Sequence, residues 1–284
     1  MKNSEDKKQE IIDDTFSITM ELERPLLGND ENHNIEPKKP IKSKKLRNVL
    51  IGIIILFILA VIGWSLTCYE AGENAQNALI SDENVEVSGV DSDIITFTPK
   101  NIEAKKGFIL YQGAKVDAKA YANLARQISE NGYFVALLDI PLDFAMLSLN
   151  KADKVIDKYE NIEKWAVGGH SLGGVVASMY ALENSDDVSG LVLLASYPMD
   201  EELKDMDIKT TSIWGSVDGV LDYEELLNTK SHLPVDTTYV EIEGANHAQF
   251  GDYGKQTGDN DAIISFEEQI DITSKSIIDL LGEI

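Results

Sequence analysis

Residues 49–66 read VLIGIIILFILAVIGWSL, and with Thr67 and Cys68 they form an unbroken stretch without a charged side chain. This stretch divides the chain. Its Leu, Ile, Val and Phe residues favour membrane insertion by about 4–8 kcal/mol on an insertion scale, and no charge opposes them. Its length suits one bilayer crossing as a helix. Lys38, Lys39, Lys42, Lys44, Lys45 and Arg47 precede it, and no Lys or Arg follows until Lys100. That asymmetry predicts a single-pass signal anchor in the cell membrane at 49–68, contacting the lipid bilayer, with the N-terminus in the cytoplasm and the C-terminal part outside. A cleaved signal would have a shorter leading region and a shorter apolar core.

The two flanks differ in charge. Up to Asn48 acidic and basic residues balance, so the net charge of −24 falls wholly beyond the apolar stretch. A domain that acidic repels nucleic acid, which excludes polynucleotide partners. The Asp259-Asn260-Asp261 cluster lacks the ligand spacing of a calcium loop. Cys68 is the single cysteine, so no intrachain disulfide can form and the fold must rest on an apolar core. Residues 1–48 are polar and aperiodic, and they read as a disordered cytoplasmic tail. Residues 69–84 read as a polar linker, partly helical. Residues 85–284 form the ordered domain.

In that domain short apolar runs alternate with amphipathic ones. Strands are predicted at 85–90, 94–98, 107–111, 133–138, 164–168, 190–195, 209–214 and 237–241. Helices are predicted at 117–131, 151–160, 171–184, 221–229 and 261–282. From 107 onward nearly every strand is followed by a helix, the pattern of a mostly parallel sheet with right-handed crossovers. The first two strands are close enough in sequence to pair antiparallel. Sites in such α/β folds form past the carboxyl ends of strands.

Gly169-His170-Ser171-Leu172-Gly173 lies past a strand and opens a helix, as a nucleophile elbow requires. A serine hydroxyl needs a base oriented by a carboxylate, and in this context the chain order is Ser, acid, His. Asp218 follows the run ending at Trp214, and His247 follows the last strand, giving a candidate triad of Ser171, Asp218 and His247. Asp222 competes as the acid but falls where a helix starts; Asp139 ends a strand but precedes the serine. His170 should point away from the serine, and His232 reads as a surface residue. The backbone N–H of Leu172 and, from the loop after 107–111, that of Ala114 are the candidate oxyanion donors. No metal or organic cofactor is implied.

These residues resemble a known family. The segments YQGAKVDAKAYANLARQISENGY, IPLDFAML, WAVGGHSLGG, ASYPMD, WGSVDGV and EIEGANHAQFGDYGKQTGDNDA are similar to those of the compact α/β-hydrolases related to dienelactone hydrolases, the α/β-hydrolase family 5 type. The resemblance runs from about Ile94 to Leu281 and is most specific over NHAQFGDYG. It implies an α/β-hydrolase fold with a sheet of about eight strands and a triad on Ser171, Asp218 and His247. Two departures stand out: Gln112 occupies a position where the family often has proline, and dienelactone hydrolases proper use a cysteine nucleophile.

The segment between the strands 190–195 and 209–214 is too short for a large cap domain, which predicts an open site. Ile140 to Leu147 is apolar enough either to pack in the core or to wall an acyl pocket. The expected activity is that of a membrane-anchored serine hydrolase working through an acyl-enzyme on carboxylic esters, small or acylated, including lipids. An acyltransferase or a peptidase would use the same triad, and a non-catalytic surface binding module is the remaining alternative. Oligomeric state is not legible in the sequence.

Overall fold

The structure, a computed structural model, describes the backbone of residues 44–65 and 67–284. Of the expected tail, residues 1–43 lie outside the described residues. The chain divides into two compact units, Met1–Ile53 and Ile54–Ile284, and the second holds the whole sheet.

Eight strands form one sheet: β1 (Val85–Ser88), β2 (Ile94–Pro99), β3 (Lys106–Tyr111), β4 (Phe134–Leu138), β5 (Lys164–His170), β6 (Val188–Leu194), β7 (Lys209–Gly215) and β8 (Thr238–Ile242). Their spatial order is β1-β2-β4-β3-β5-β6-β7-β8. The β1–β2 and β2–β4 pairs are antiparallel and all the others are parallel. Both faces of the central strands are covered, which is why these strands are almost uniformly apolar. The pleat divides each between two cores: Phe108 and Leu110 of β3 face one, and Ile109 and Tyr111 face the other.

The first core is closed by α3 (Ala122–Glu130) and α7 (Phe266–Glu283), through Leu124, Ile128, Ile270, Ile277 and Leu281. The second is closed by α5 (Leu172–Glu183), through Val176, Ala177 and Tyr180. Each fully buried large apolar side chain contributes about 1.5–3 kcal/mol. Helix α7 starts later than the sequence predicts, at Phe266, because Ser265 caps it: its Oγ accepts the Glu268 N–H at 3.1 Å. The expected helix 151–160 is replaced by a 3-10 stretch, Ala145–Ala152, and the short α4 (Asp153–Ile156). There the buried Lys151 ammonium donates to Asp139 O and Tyr111 Oη donates to Leu149 O, contacts that hold the irregular path.

The apolar stretch lies in α1 (Lys44–Ser65). Among the described residues no helix is long and apolar enough to cross a membrane. Within α1 the unbroken run of described side chains is 48–61. In that run Leu50, Ile53, Leu56, Phe57 and Leu59 are all more than half exposed.

Residues 69–84 are not a free linker. Tyr69 makes a parallel bridge with Val116. In α2 (Glu73–Ala78), Ala75 and Ala78 are buried with the following Leu79. Asp252 holds this segment, accepting the Ala75 N–H on Oδ2 at 2.8 Å and the Gly72 N–H on its carbonyl at 2.6 Å. Arg126 ties down its end, donating to Ala78 O at 2.9 Å and to Asp82 Oδ2 at 2.7 Å. The buried face is made of alanines, too small to stand out in a hydropathy profile.

Candidate active site

Ser171 sits between β5 and α5 at φ 53° and ψ −123°, a left-handed conformation that costs a non-glycine residue backbone strain. Small neighbours make this turn possible. A Cβ at Gly169 would lie 2.2 Å from the Gly173 carbonyl, and one at Gly173 would lie 2.2 Å from Tyr111 O. The elbow is fixed to β6 and the loop after it: the Ser171 N–H donates to Leu194 O at 2.9 Å and Ser196 Oγ donates to Ser171 O at 2.7 Å.

Past β7, Asp218 is buried and held rigidly. Its Oδ1 accepts the N–H groups of Val220 and Leu221, each at 2.8 Å. Its Oδ2 lies 2.8 Å from Nδ1 of the buried His247, in the loop past β8. A carboxylate there accepts from an Nδ1–H, the arrangement in which a neutral imidazole keeps its acceptor lone pair on Nε2. His247 Nε2 is buried and has no hydrogen-bond partner among the described residues. Ser171 and His247 line one cavity of about 220 Å³, with Leu172, Val175, Tyr197, Val220 and Leu221. No hydrogen bond yet joins Ser171 Oγ to His247 Nε2; such contacts are commonly long until substrate binds.

The candidate oxyanion donors lie where the loop after β3 meets the start of α5. Gly173 is pressed against Tyr111 O and Gln112 O with no space for a side chain. Neither the Ala114 nor the Leu172 N–H is engaged in a hydrogen bond among the described residues, so both remain free to donate. Gln112 is buried and braces the loop: its Oε1 accepts the Ile140 N–H at 2.9 Å, and its Nε2 donates to Val116 O at 2.9 Å and to Asp143 Oδ1 at 2.8 Å. A proline in that position could make none of these bonds.

Three features were not foreseen from sequence. The first is Asp259, which joins the acid loop to the base loop. Its Oδ1 accepts the N–H of Gly219 at 2.9 Å and of His247 at 3.3 Å, and its Oδ2 accepts that of Ala248 at 2.8 Å. The Asp259-Asn260-Asp261 cluster therefore spends its first carboxylate on backbone amides. Among the described residues no group of three or more His, Cys, Asp or Glu side chains is arranged to hold a metal ion. The second is what surrounds His170: its ring turns from the serine, as expected, but lies in the core against Phe250 and Tyr253. Burial and the neighbouring His247 hold its pKa well below the usual imidazole value, so it is neutral. The third is Tyr121, whose Oη accepts the Gly113 N–H at 3.0 Å and lies 2.9 Å from His170 Nδ1, connecting the oxyanion loop to that buried ring.

Other candidates do not join the Asp218–His247 pair. Asp222 lines the serine cavity, but its carboxylate caps α6 (Tyr223–Asn228), accepting the Glu225 N–H at 3.1 Å. Asp139 lies with Asp93, Lys151 and Lys154 on a separate cavity of about 620 Å³ that contains no triad residue. His232 is 3.9 Å from Glu201 Oε1. Residues 140–147 do not wall the serine cavity. Ile140 and Ala145 are in the core, while Leu142, Met146 and Leu147 face outward. Between β6 and β7 the described residues hold only a short 3-10 turn, Glu201–Asp205, with no cap domain inserted there.

Residues 107–271, more than half of the chain, match the alpha/beta hydrolase family. The chain belongs to that family. Among solved structures, this α/β-hydrolase is similar to a predicted CIB-like hydrolase from Thermoplasma acidophilum, with a TM-score of 0.52, 19% identity, and 69% of this chain and 99% of that chain covered. It is also similar to a dienelactone hydrolase from Anabaena variabilis, with a TM-score of 0.53, 14% identity, and 71% of this chain and 99% of that chain covered. At such identities the likeness is one of fold, and it agrees with the resemblance read from residues 94–281. No curated protein matches the chain.

Proposed function

We propose that this α/β-hydrolase is a serine esterase with Ser171 as nucleophile, His247 as general base and acid, and Asp218 as the carboxylate that orients the histidine. The observation that carries this reading is the 2.8 Å link between Asp218 Oδ2 and His247 Nδ1, which leaves Nε2 unpartnered beside a strained serine in the same cavity. In the first half-reaction Ser171 Oγ attacks the acyl carbon while His247 Nε2 takes its proton. The carbonyl oxygen becomes an oxyanion between the N–H groups of Leu172 and Ala114. Collapse breaks the ester bond, and His247 returns the proton to the departing alkoxide, leaving an acyl-enzyme. Water, deprotonated by the same nitrogen, then attacks the acyl carbon and releases the acid and Ser171.

The cavity is smaller than the roughly 300–1,000 Å³ of sites that enclose drug-sized ligands. It therefore suits a short acyl group, with the alcohol portion of the substrate lying in the open mouth. The test is labelling of the full chain in detergent with a fluorophosphonate, with p-nitrophenyl butyrate as substrate. Labelling and turnover are expected for the wild type and neither for Ser171→Ala. A wild type that is inert to both would remove the serine-esterase reading in favour of a binding module. Product analysis with added alcohols or amines separates hydrolysis from acyl transfer.

We further infer that residues 49–68 anchor the enzyme in the cell membrane with the hydrolase domain outside. The support is in the sequence: these residues carry no charged side chain, and about 20 apolar residues suffice for one crossing. Leu50, Ile53, Leu56, Phe57 and Leu59 within this stretch are exposed, and Lys38, Lys39, Lys42, Lys44, Lys45 and Arg47 precede it while no Lys or Arg follows until Lys100. Carbonate extraction of membranes should leave the full-length chain in the pellet; release into the supernatant would overturn the anchor.

A further inference from the structure

Lys115 follows the proposed oxyanion donor Ala114 directly and has a left-handed backbone, at φ 63°. A lysine gains nothing from that conformation by itself, so its surroundings must impose it. They do so from two sides. From within the domain, the Lys115 N–H donates to Asp143 O at 2.7 Å. From the segment that leaves α1, the Tyr69 N–H donates to Lys115 O at 2.6 Å and the Asp117 N–H donates back to Tyr69 O at 3.0 Å. The Lys115 side chain is taken by the same segment. Its Nζ donates to Thr67 Oγ1 at 2.9 Å and lies 4.4 Å from the centroid of the Trp64 ring. Trp64 itself is docked: Nε1 donates to Leu142 O at 2.7 Å, and the ring meets Phe144 edge-on with centroids 5.9 Å apart.

Trp64, Thr67 and Tyr69 thus grip the loop that carries Ala114 on backbone and side chain. Trp64 also holds the 142–144 turn on which that loop rests. We propose that Trp64, Thr67 and Tyr69 are positioning residues for the oxyanion hole, acting through Lys115, so that the enzyme stabilises its transition state fully only while they are docked. The proposal rests on the serine-esterase reading above. It makes the exit from α1 a regulatory point, since whatever displaces Trp64 or Thr67 releases the loop next to Ala114. None of these residues touches the reacting atoms.

The test uses the full chain in detergent micelles, with Lys115→Ala, Lys115→Arg, Trp64→Ala and Thr67→Val beside the wild type. Complete loss of one oxyanion donor costs about 10²–10³ in rate, so a misplaced donor should lower kcat about 10–100-fold in Lys115→Ala, with KM changed less than about threefold. Affinity for an alkylboronic acid, which forms a tetrahedral adduct on serine, should fall in parallel with kcat. Lys115→Arg keeps a cation over Trp64 and a donor toward Thr67, and should recover most of the rate. Thr67→Val leaves every charge in place and should reproduce part of the loss, which also covers the case in which Lys115→Ala does not fold. Wild-type kcat and boronate affinity in Thr67→Val and Trp64→Ala, in a chain that fluorophosphonate labels, would overturn the positioning role alone. A wild type that no fluorophosphonate labels would overturn the esterase reading and this proposal together.

Discussion

The imidazole of His170 lies against that of His247, with ring centroids 4.5 Å apart and planes inclined by 48°. Two cationic rings at that distance would repel by roughly 4 kcal/mol at an effective dielectric constant of 20. His247 must become an imidazolium in the proposed cycle, so its neighbour has to remain neutral. Burial among Tyr121, Phe250 and Tyr253 provides for that, by holding the His170 pKa well below its usual value. The unfolded chain therefore binds a proton at this histidine as the pH drops below about 6.5, while the folded chain does not. This contribution to stability is present above about pH 6.5 and is lost as the pH falls toward the depressed pKa, by up to about 1.4 kcal/mol per pH unit. Urea unfolding at pH 7.5 and 5.5 should show wild type losing about 1 kcal/mol more than His170→Gln between the two. Equal losses would mean that His170 is not the group responsible.

Replacement of the triad separates chemistry from binding. Ser171→Ala and His247→Ala should each lower kcat on p-nitrophenyl butyrate by about 10⁴–10⁶, with little change in KM. Asp218→Asn keeps the shape and still offers an acceptor to Nδ1, but its amide can stabilise the wrong tautomer. It should cost about 10⁴. A loss below tenfold in Asp218→Asn would point to another carboxylate as the orienting group.

Asp259 predicts a different signature. Because it accepts amides from both the acid loop and the base loop, Asp259→Ala should lower stability by about 2–3 kcal/mol. It should also cut kcat by more than tenfold, since the two loops then move independently. Asp259→Asn, which retains acceptor capacity on one oxygen only, should fall between. Chemical unfolding and steady-state kinetics measured on the same samples check both effects; an unfolding midpoint shift with unchanged kcat would limit Asp259 to a structural part.

On the serine-esterase reading, the small cavity beside Ser171 predicts a preference for short acyl groups. Acetate and butyrate esters should exceed the dodecanoate in kcat/KM by at least tenfold. Tyr197→Ala removes one wall and should shift the ratio toward the longer chain by about fivefold. A wild type that prefers long chains would show that the acyl group binds elsewhere.

All eight strands and their parallel order past β3 are legible in the sequence; the central ones, buried on both faces, leave dense apolar runs between polar turns. The elbow is legible for a related reason: the glycines around Ser171 are there to let three backbones meet, and that requirement shows as letters. Asp259 is not legible as a clamp, since a carboxylate that accepts amides reads the same as one facing solvent. The 69–84 segment is misread as a linker because it buries alanines and is held by Asp252, far along the chain. For residues 140–147 the sequence leaves core packing and an acyl wall both open, because composition does not say which side chains face inward. Ile140 and Ala145 pack in the core, while Leu142 and Leu147 point out.

The helix ends at Ser65 and Tyr69 is already bridged to Val116. Thr67, between them, is itself held by Lys115. On the reading that the apolar stretch is an anchor and Ser171 a nucleophile, the serine has no radius of search of its own, and an ester must come to it.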